Sequence, residues 1–281
     1  MLAINKAPML SGANPNTWFW NDALKIASDA GPALELSPAT EEGVQDAEFV
    51  VANDAGYGTE SANLSVCALT NLSNIAGVAP TFSCLHAGLP YAYWDPRPAR
   101  QLGGPNIAVG YGTKQVYYKA GRLFLAWTAV EPNTPDEIFW AEIRPVLQDL
   151  IHANPQVLDD VEVTQESGIA SPGDDLFTPS IVGTDEDDIV LVYNHSGPSL
   201  YPSIFYTGRK ATDKFYTMGQ IGSNAAVMFG THPTTAYWGK YGACAISLNS
   251  VTRGGVWCVG EYTGTTADPG WNTRLYNLRA E

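Results

Sequence analysis

Short apolar runs alternate along the chain with turns rich in Gly and acidic residues, the pattern of strands joined by tight connections. Asp46-Ala-Glu-Phe-Val-Val-Ala-Asn53 is followed, after a Gly-rich connection, by Leu64-Ser-Val-Cys-Ala-Leu-Thr-Asn71. The two-strand theme recurs as Gly121 to Trp127 with Ile138 to Ile143, Asp188 to Asn194 with Ile204 to Arg209, and Gly255 to Tyr262 with Trp271 to Asn277. The units begin near positions 46, 121, 188 and 255, so they are 75, 67 and 67 residues apart. Several carry an upstream strand as well: Gln115 to Tyr118, Pro179 to Val182 and Tyr241 to Ser247. Three or four antiparallel strands per unit predict an all-β, β-propeller-like fold of about four to five blades with long loops; a β-sandwich is the alternative. The apolar stretch Pro145 to Ile151 reads as a short helix connecting two blades. Leu2 to Lys6 reads as the outer strand of an incomplete first blade. Because bare strand edges invite pairing, this strand is expected beside Trp271 to Leu278 or against a second copy of the chain.

Composition narrows the picture. The chain has 281 residues, 45% hydrophobic and 16% charged, with 27 Gly and 19 Pro, which suits one large domain over residues 1–281 with little helix. Fifteen basic residues against 29 acidic ones leave a net charge of −14, which repels phosphate backbones and anionic lipid surfaces and argues against nucleic-acid and membrane partners. No apolar run reaches the length of a membrane span, and MLAINKAPML lacks the basic and apolar regions of a signal peptide, as expected of a piece of a longer protein.

Cys67, Cys84, Cys244 and Cys258 make no zinc or thioredoxin spacing, and the four His are scattered. Cys244 and Cys258 each lie seven residues from Val251, so a symmetric hairpin sets them level across two strands, as a disulfide or as two buried thiols. Asn63, Asn71 and Asn194 head glycosylation triplets, which arise by chance in a chain rich in Asn, Ser and Thr.

The segments Leu2-Ala-Ile-Asn-Lys6, Leu64-Ser-Val-Cys-Ala-Leu-Thr-Asn71, Tyr93-Trp-Asp-Pro-Arg-Pro-Ala-Arg-Gln101, Tyr201-Pro-Ser-Ile204, Tyr237-Trp-Gly-Lys-Tyr241, Gly260-Glu-Tyr262 and Trp271-Asn-Thr-Arg274 form an ordered set over nearly the whole chain. That set resembles the markers of secreted bacterial β-propeller proteins of mostly unassigned function: "ISK", "VWALTNT", "Y..PP.A.Q", "YPS", "RWGDYS", "EY" and "WGTRI". The resemblance implies a secreted or cell-surface location and further blades upstream of the first strand. Lys240 stands where the family has an acidic residue, Asn272 where it has Gly and Cys67 where it has Trp.

Candidate chemistry is sparse. Glycoside cleavage needs two facing acids, one with a raised pKa, and the loop-like candidates are Asp54, Asp95, Glu131 and Glu261, with Asp175 and Asp268 nearby in type. Structural roles compete for them: Glu261 can pair with Arg274, and Asp95 can cap the turn before Pro96. No nucleophile elbow, Walker loop or S-x-x-K occurs. No cofactor is expected, although Asp185 and Asp187, like the pairs Asp159-Asp160 and Asp174-Asp175, offer hard oxygen ligands for Ca²⁺. Tyr57, Tyr93, Trp94, Tyr201, Trp238 and Tyr241, with Arg274, are candidate binding residues, since flat amphipathic rings stack on sugars and anchor proteins; inter-blade packing is the rival role. Three functions follow as expectations: an extracellular module that binds a glycan or protein through its loop face, a glycoside hydrolase or sialidase-like enzyme, or an architectural segment of a larger surface protein. Two acids and an Arg facing one pocket would favour the enzyme, and an aromatic shelf would favour binding.

Overall fold

A computed structural model describes residues 2–4, 6–19, 36–41, 47–53, 60–72, 80–110, 112–149, 156–184, 187–213, 224–227, 237–238, 242–247, 255–263 and 271–278. Strand β1 (Leu2–Ile4), helix α1 (Lys6–Leu10) and β2 (Thr17–Phe19) open the chain. Then come β3 (Ser37–Glu41), β4 (Ala47–Asn53), β5 (Glu60–Thr70), β6 (Thr81–Trp94), β7 (Ala108–Val109), β8 (Gly112–Lys119), β9 (Arg122–Val130), β10 (Asp136–Asp149) and β11 (Gln156–Ile169). The remaining strands are β12 (Asp175–Gly183), β13 (Ile189–Gly197), β14 (Leu200–Arg209), β15 (Asn224–Val227), β16 (Tyr237–Trp238), β17 (Ala243–Ile246), β18 (Val256–Thr263) and β19 (Trp271–Leu278). The protein is all-β, and α1 is the one helix among the described residues.

All four two-strand units are present as antiparallel neighbours, β4 with β5, β9 with β10, β13 with β14 and β18 with β19, and β8, β12 and β17 pair as their upstream strands. Their assembly differs from the expected propeller. Strands β9, β6, β5, β4, β3 and β8 close into a six-stranded mixed barrel. The parallel pairing of β3 with β8, the β8–β9 hairpin and the single contact of Trp94 with Val130 complete the ring. The sheets β12-β13-β14-β15 and β17-β18-β19 lie outside it, so radial blades are absent among the described residues. Closure satisfies edges that separate blades would leave open.

Strand β9 shows why the barrel wins. It is buried on both faces, with Leu123, Leu125, Trp127 and Ala129 pointing into the barrel and Phe124 and Ala126 pointing outward. Strand β10 repeats this, with Phe139, Ala141 and Ile143 inward and Ile138 and Trp140 outward. The outward set packs with Leu176, Ile181, Val182, Ile189 and Leu191 of β12 and β13, so one wall serves two cores. Lys119, Ala120, Gly121 and Arg122 make the β8–β9 turn, with φ of 49° at Ala120 and 80° at Gly121, the left-handed pair that a two-residue type I′ hairpin needs.

Two further expectations change. Pro145 to Asp149 is not a helix but the end of β10, paired with Gln156 to Val161 of β11. Strand β11 folds back over the barrel, where the Leu158 amide donates to Ser83 Oγ at 2.8 Å. Leu2 to Ile4 does hydrogen-bond into a sheet, but its partner is Thr17 to Phe19; β19 pairs with β18. Both hairpin-like cysteine pairs are bonded: Cys244 with Cys258, directly opposite in register, and Cys67 with Cys84.

Candidate functional site

The site is built where the segment 95–107, leaving β6, crosses the first residues of β10 and β12. A two-hydrogen-bond bridge between Ala99 and Ile107 folds this segment on itself. Ala99, Ile107 and Val109 sink into a small apolar cluster with Phe177 and Trp238, which holds the segment from beneath. Its polar residues are thereby displayed above.

Asp175, the first residue of β12, is 4% exposed and receives Arg100 three times: the backbone amide at 2.7 Å and Nε at 2.8 Å on Oδ2, and Nη2 at 2.9 Å on Oδ1. This fork-to-fork pairing fixes both groups. Asp175 Oδ1 also accepts the backbone amide of Asp136 at 3.2 Å. Asp136, the first residue of β10, is 1% exposed, and its Oδ1 accepts the Arg97 amide at 2.8 Å. Its Oδ2 is buried without a hydrogen-bond partner among the described residues. Burial therefore pushes the Asp136 carboxyl up to about 7; the nearby Asp175 adds to this, and the Arg97 amide with the Arg97 and Arg100 charges opposes it.

These groups line a cleft of about 460 Å³. Arg97, Pro98, Arg100 and Asn106 come from the crossing segment, Asn133, Thr134, Pro135 and Asp136 from the β9–β10 connection, and Asp175 from β12. The connection is held by the Thr134 amide donating to the Glu131 carbonyl at 3.2 Å, with Asn133 at a φ of 66° that Asn tolerates better than most residues. Beside the cleft, Asp174 Oδ2 meets His195 Nε2 at 3.1 Å, while burial lowers the His195 pKa against the pull of Asp174. Ser196 donates its hydroxyl to the Arg100 carbonyl at 2.5 Å, so it braces the cleft and is not an activated nucleophile of a Ser-His-Asp set.

The sequence candidates scatter around this site. Asp175 lies in it; Glu131 and Asp95 flank it without lining it. Glu261 is buried in β18 opposite Thr273, whereas exposed Arg274 lies opposite Gly260, so the two side chains leave opposite faces of the hairpin. Tyr93 is fully buried in the barrel, with its hydroxyl donating to the Asn63 carbonyl at 2.7 Å, and Trp238 is buried in the cluster with Phe177. These two rings pack in the barrel and in the small apolar cluster, not between blades. Trp94 and Tyr201 are half-buried and line no part of the cleft. Asp187 is exposed and accepts from Arg122, and no group of three or more His, Cys, Asp or Glu among the described residues is placed to hold a metal ion. Asn194 is buried, its side-chain amide donating to the Glu261 carbonyl at 2.7 Å, which leaves no room for a glycan. Asp54, Tyr57, Asp185, Tyr241 and Asp268 lie outside the described residues.

Sequence reasoning missed Asp136, Arg97 and Arg100. The arginines sit in the marker Tyr93 to Gln101, and Asp136 follows the turn Glu131-Pro-Asn-Thr-Pro135, but nothing local distinguishes it from exposed acids in similar turns. No protein-family model matches the chain, and no curated protein is significantly similar to it.

Proposed function

We propose that the chain is a secreted or surface-displayed recognition module that holds a saccharide in the cleft between Arg97, Asp136 and Asp175. The observation that carries this reading is the buried Asp136 Oδ2, which has no hydrogen-bond partner among the described residues although Asp136 lines the cleft. An unsatisfied buried polar group costs about 1–3 kcal/mol, and a hydrogen bond with a ligand hydroxyl would recover that cost. Around it stand an Asn pair and two proline rings, a mixture of donors, acceptors and small apolar faces suited to a polyhydroxylated ring. The volume is within the roughly 300–1,000 Å³ of small-ligand sites. Two disulfides fit folding in an oxidising compartment. A glycan array probed with the full chain tests the reading. Glycan retention should fall about tenfold in an Asn106→Ala, Asn133→Gly double variant whose melting curve is unchanged. Retention of no glycan, or retention unaffected by the double variant, would refute it.

A second reading, glycoside hydrolysis, is favoured by two acids and two arginines facing one cleft, the arrangement expected of an enzyme, and by Asp136 keeping its proton near neutral pH. It stands second because Arg100 and two backbone amides already occupy both oxygens of Asp175, which leaves that carboxylate unsuited to act as nucleophile or base. In that reading Asp136 protonates the glycosidic oxygen as the bond from the anomeric carbon to the leaving group breaks, and a water adds to that carbon and returns its proton to the Asp136 carboxylate. Asp175, clamped by Arg100, acts only as a fixed negative charge. Turnover of a chromogenic glycoside panel that disappears in Asp136→Asn would support it; no turnover by wild type would reject it.

A further inference from the structure

The chemistry of the rim narrows the ligand class, and the narrowing rests on the saccharide-binding reading above. We infer that the cleft selects an acidic saccharide, a sugar bearing a carboxylate, with that carboxylate on the Arg97 guanidinium and a ring hydroxyl hydrogen-bonded to the Asp136 carboxyl.

The two arginines of the cleft differ in their commitments. Arg100 gives two of its five side-chain donors to Asp175, yet its side chain remains 38% exposed in the cleft. Arg97 is exposed, and its backbone amide is tied to Asp136 Oδ1 at 2.8 Å, so the root of its side chain is fixed beside the unpartnered oxygen. A guanidinium at the mouth and a buried carboxyl behind it form a two-point site: an anion outside and a hydroxyl inside. A uronic or similar sugar acid carries both groups on one ring. The planar fork of Arg suits a carboxylate better than Lys would, and no Lys among the described residues lines the cleft.

Charge bookkeeping agrees. The charged groups facing the site are Arg97, Arg100, Asp136 and Asp175, with Asp174 acting on Arg100 from outside the lining. While Asp136 keeps its proton, the described lining carries two guanidiniums and one carboxylate, a surplus of one positive charge that Asp174 outside the lining offsets in part, in a chain of net −14. The distant acidic surface is screened beyond about 8–10 Å at physiological salt, so it slows encounter with an anion more than it weakens the bound state. Raising pH through 7 ionises Asp136, removes the surplus and should loosen the acidic ligand while leaving a neutral one less affected.

The test uses the full chain in titration calorimetry at pH 6 with uronic-acid trisaccharides and their carboxyl-reduced, neutral counterparts. The acidic forms should bind at least about tenfold tighter, the range of one charge-assisted hydrogen bond. Arg97→Gln should abolish that preference and Arg97→Lys should restore part of it; Arg97 is exposed, so both variants should keep the wild-type melting temperature. Equal binding of acidic and carboxyl-reduced forms overturns this inference but leaves the saccharide reading standing. A preference that survives Arg97→Gln also overturns it. Binding of neither form, together with an empty glycan array, overturns both.

Discussion

Replacing Asp136 by Asn gives the most demanding check of the buried network. The folded carboxyl titrates near 7 against an ordinary 3.8, so between these values the native chain binds a proton that the unfolded chain has released. Stability from this group therefore falls as pH rises from about 4 through 7 and stays low above it, the reverse of an ordinary salt-bridged carboxylate. Three pH units at 1.36 kcal/mol each set the full penalty at about 4 kcal/mol at pH 8, and at close to zero near pH 4. Asn is nearly isosteric and cannot ionise; its oxygen can still accept the Arg97 amide. Any cost of burying the amide is the same at all pH values, so the difference between variant and wild type isolates the ionisation. Glu41, half-buried, with its carboxyl pushed up to about 7 by burial and by Glu48, contributes equally to both proteins and cancels. Urea unfolding with disulfides intact at pH 4.5, 6 and 8 should show Asp136→Asn gaining about 3–4 kcal/mol on wild type across that span, most of it by pH 7. A pH-independent difference, or one that grows in wild type's favour as pH rises, would refute the account of a desolvated, proton-holding Asp136.

Three further outcomes follow from the same packing. Arg100→Ala leaves Asp175 buried without its cation and should cost about 2–4 kcal/mol in urea unfolding, and Arg100→Lys should recover little because it cannot reproduce the two-pronged contact. A Cβ on Gly183 would stand 2.9 Å from Cε2 of Phe124, so Gly183→Ala should destabilise by about 1–3 kcal/mol and be partly rescued by Phe124→Leu. Alkylation of the denatured, unreduced chain should add no label while reduction first should expose four thiols; removing the 244–258 bond by a double Ser variant should cost about 3 kcal/mol for a loop of that size.

Much of the local pairing was legible in the pattern of apolar and polar residues. The four strand pairs lie close in sequence, so their connections set the pairing, and the seven-residue symmetry about Val251 placed Cys244 level with Cys258. A hairpin is a local decision: turn chemistry and a period of two suffice. The candidate site was much less legible. Asp175 was in view as one acid among several, but its neighbours in the cleft arrive from positions 97, 100 and 136, and no spacing rule links those stretches. The aromatic candidates misled for a related reason, since Tyr93 looks the same on paper whether it faces solvent or, as here, Trp127 and Phe139.

What the sequence alone determined is thus the all-β class, the strand pairs and the register of one disulfide. Only the tertiary structure decided how the pairs are joined. Alternating apolar positions fit a blade and a barrel wall equally well, and the choice falls to non-local contacts, Ala39 with Val116 and Trp94 with Val130, which shut the ring. Burial of both faces of β9 and β10 then made that wall the floor of a second core. The ionisation of Asp136 belongs to the same level: its carboxyl is an ordinary acid in the unfolded chain and holds its proton only because the crossing segment and the start of β12 close over it and exclude water.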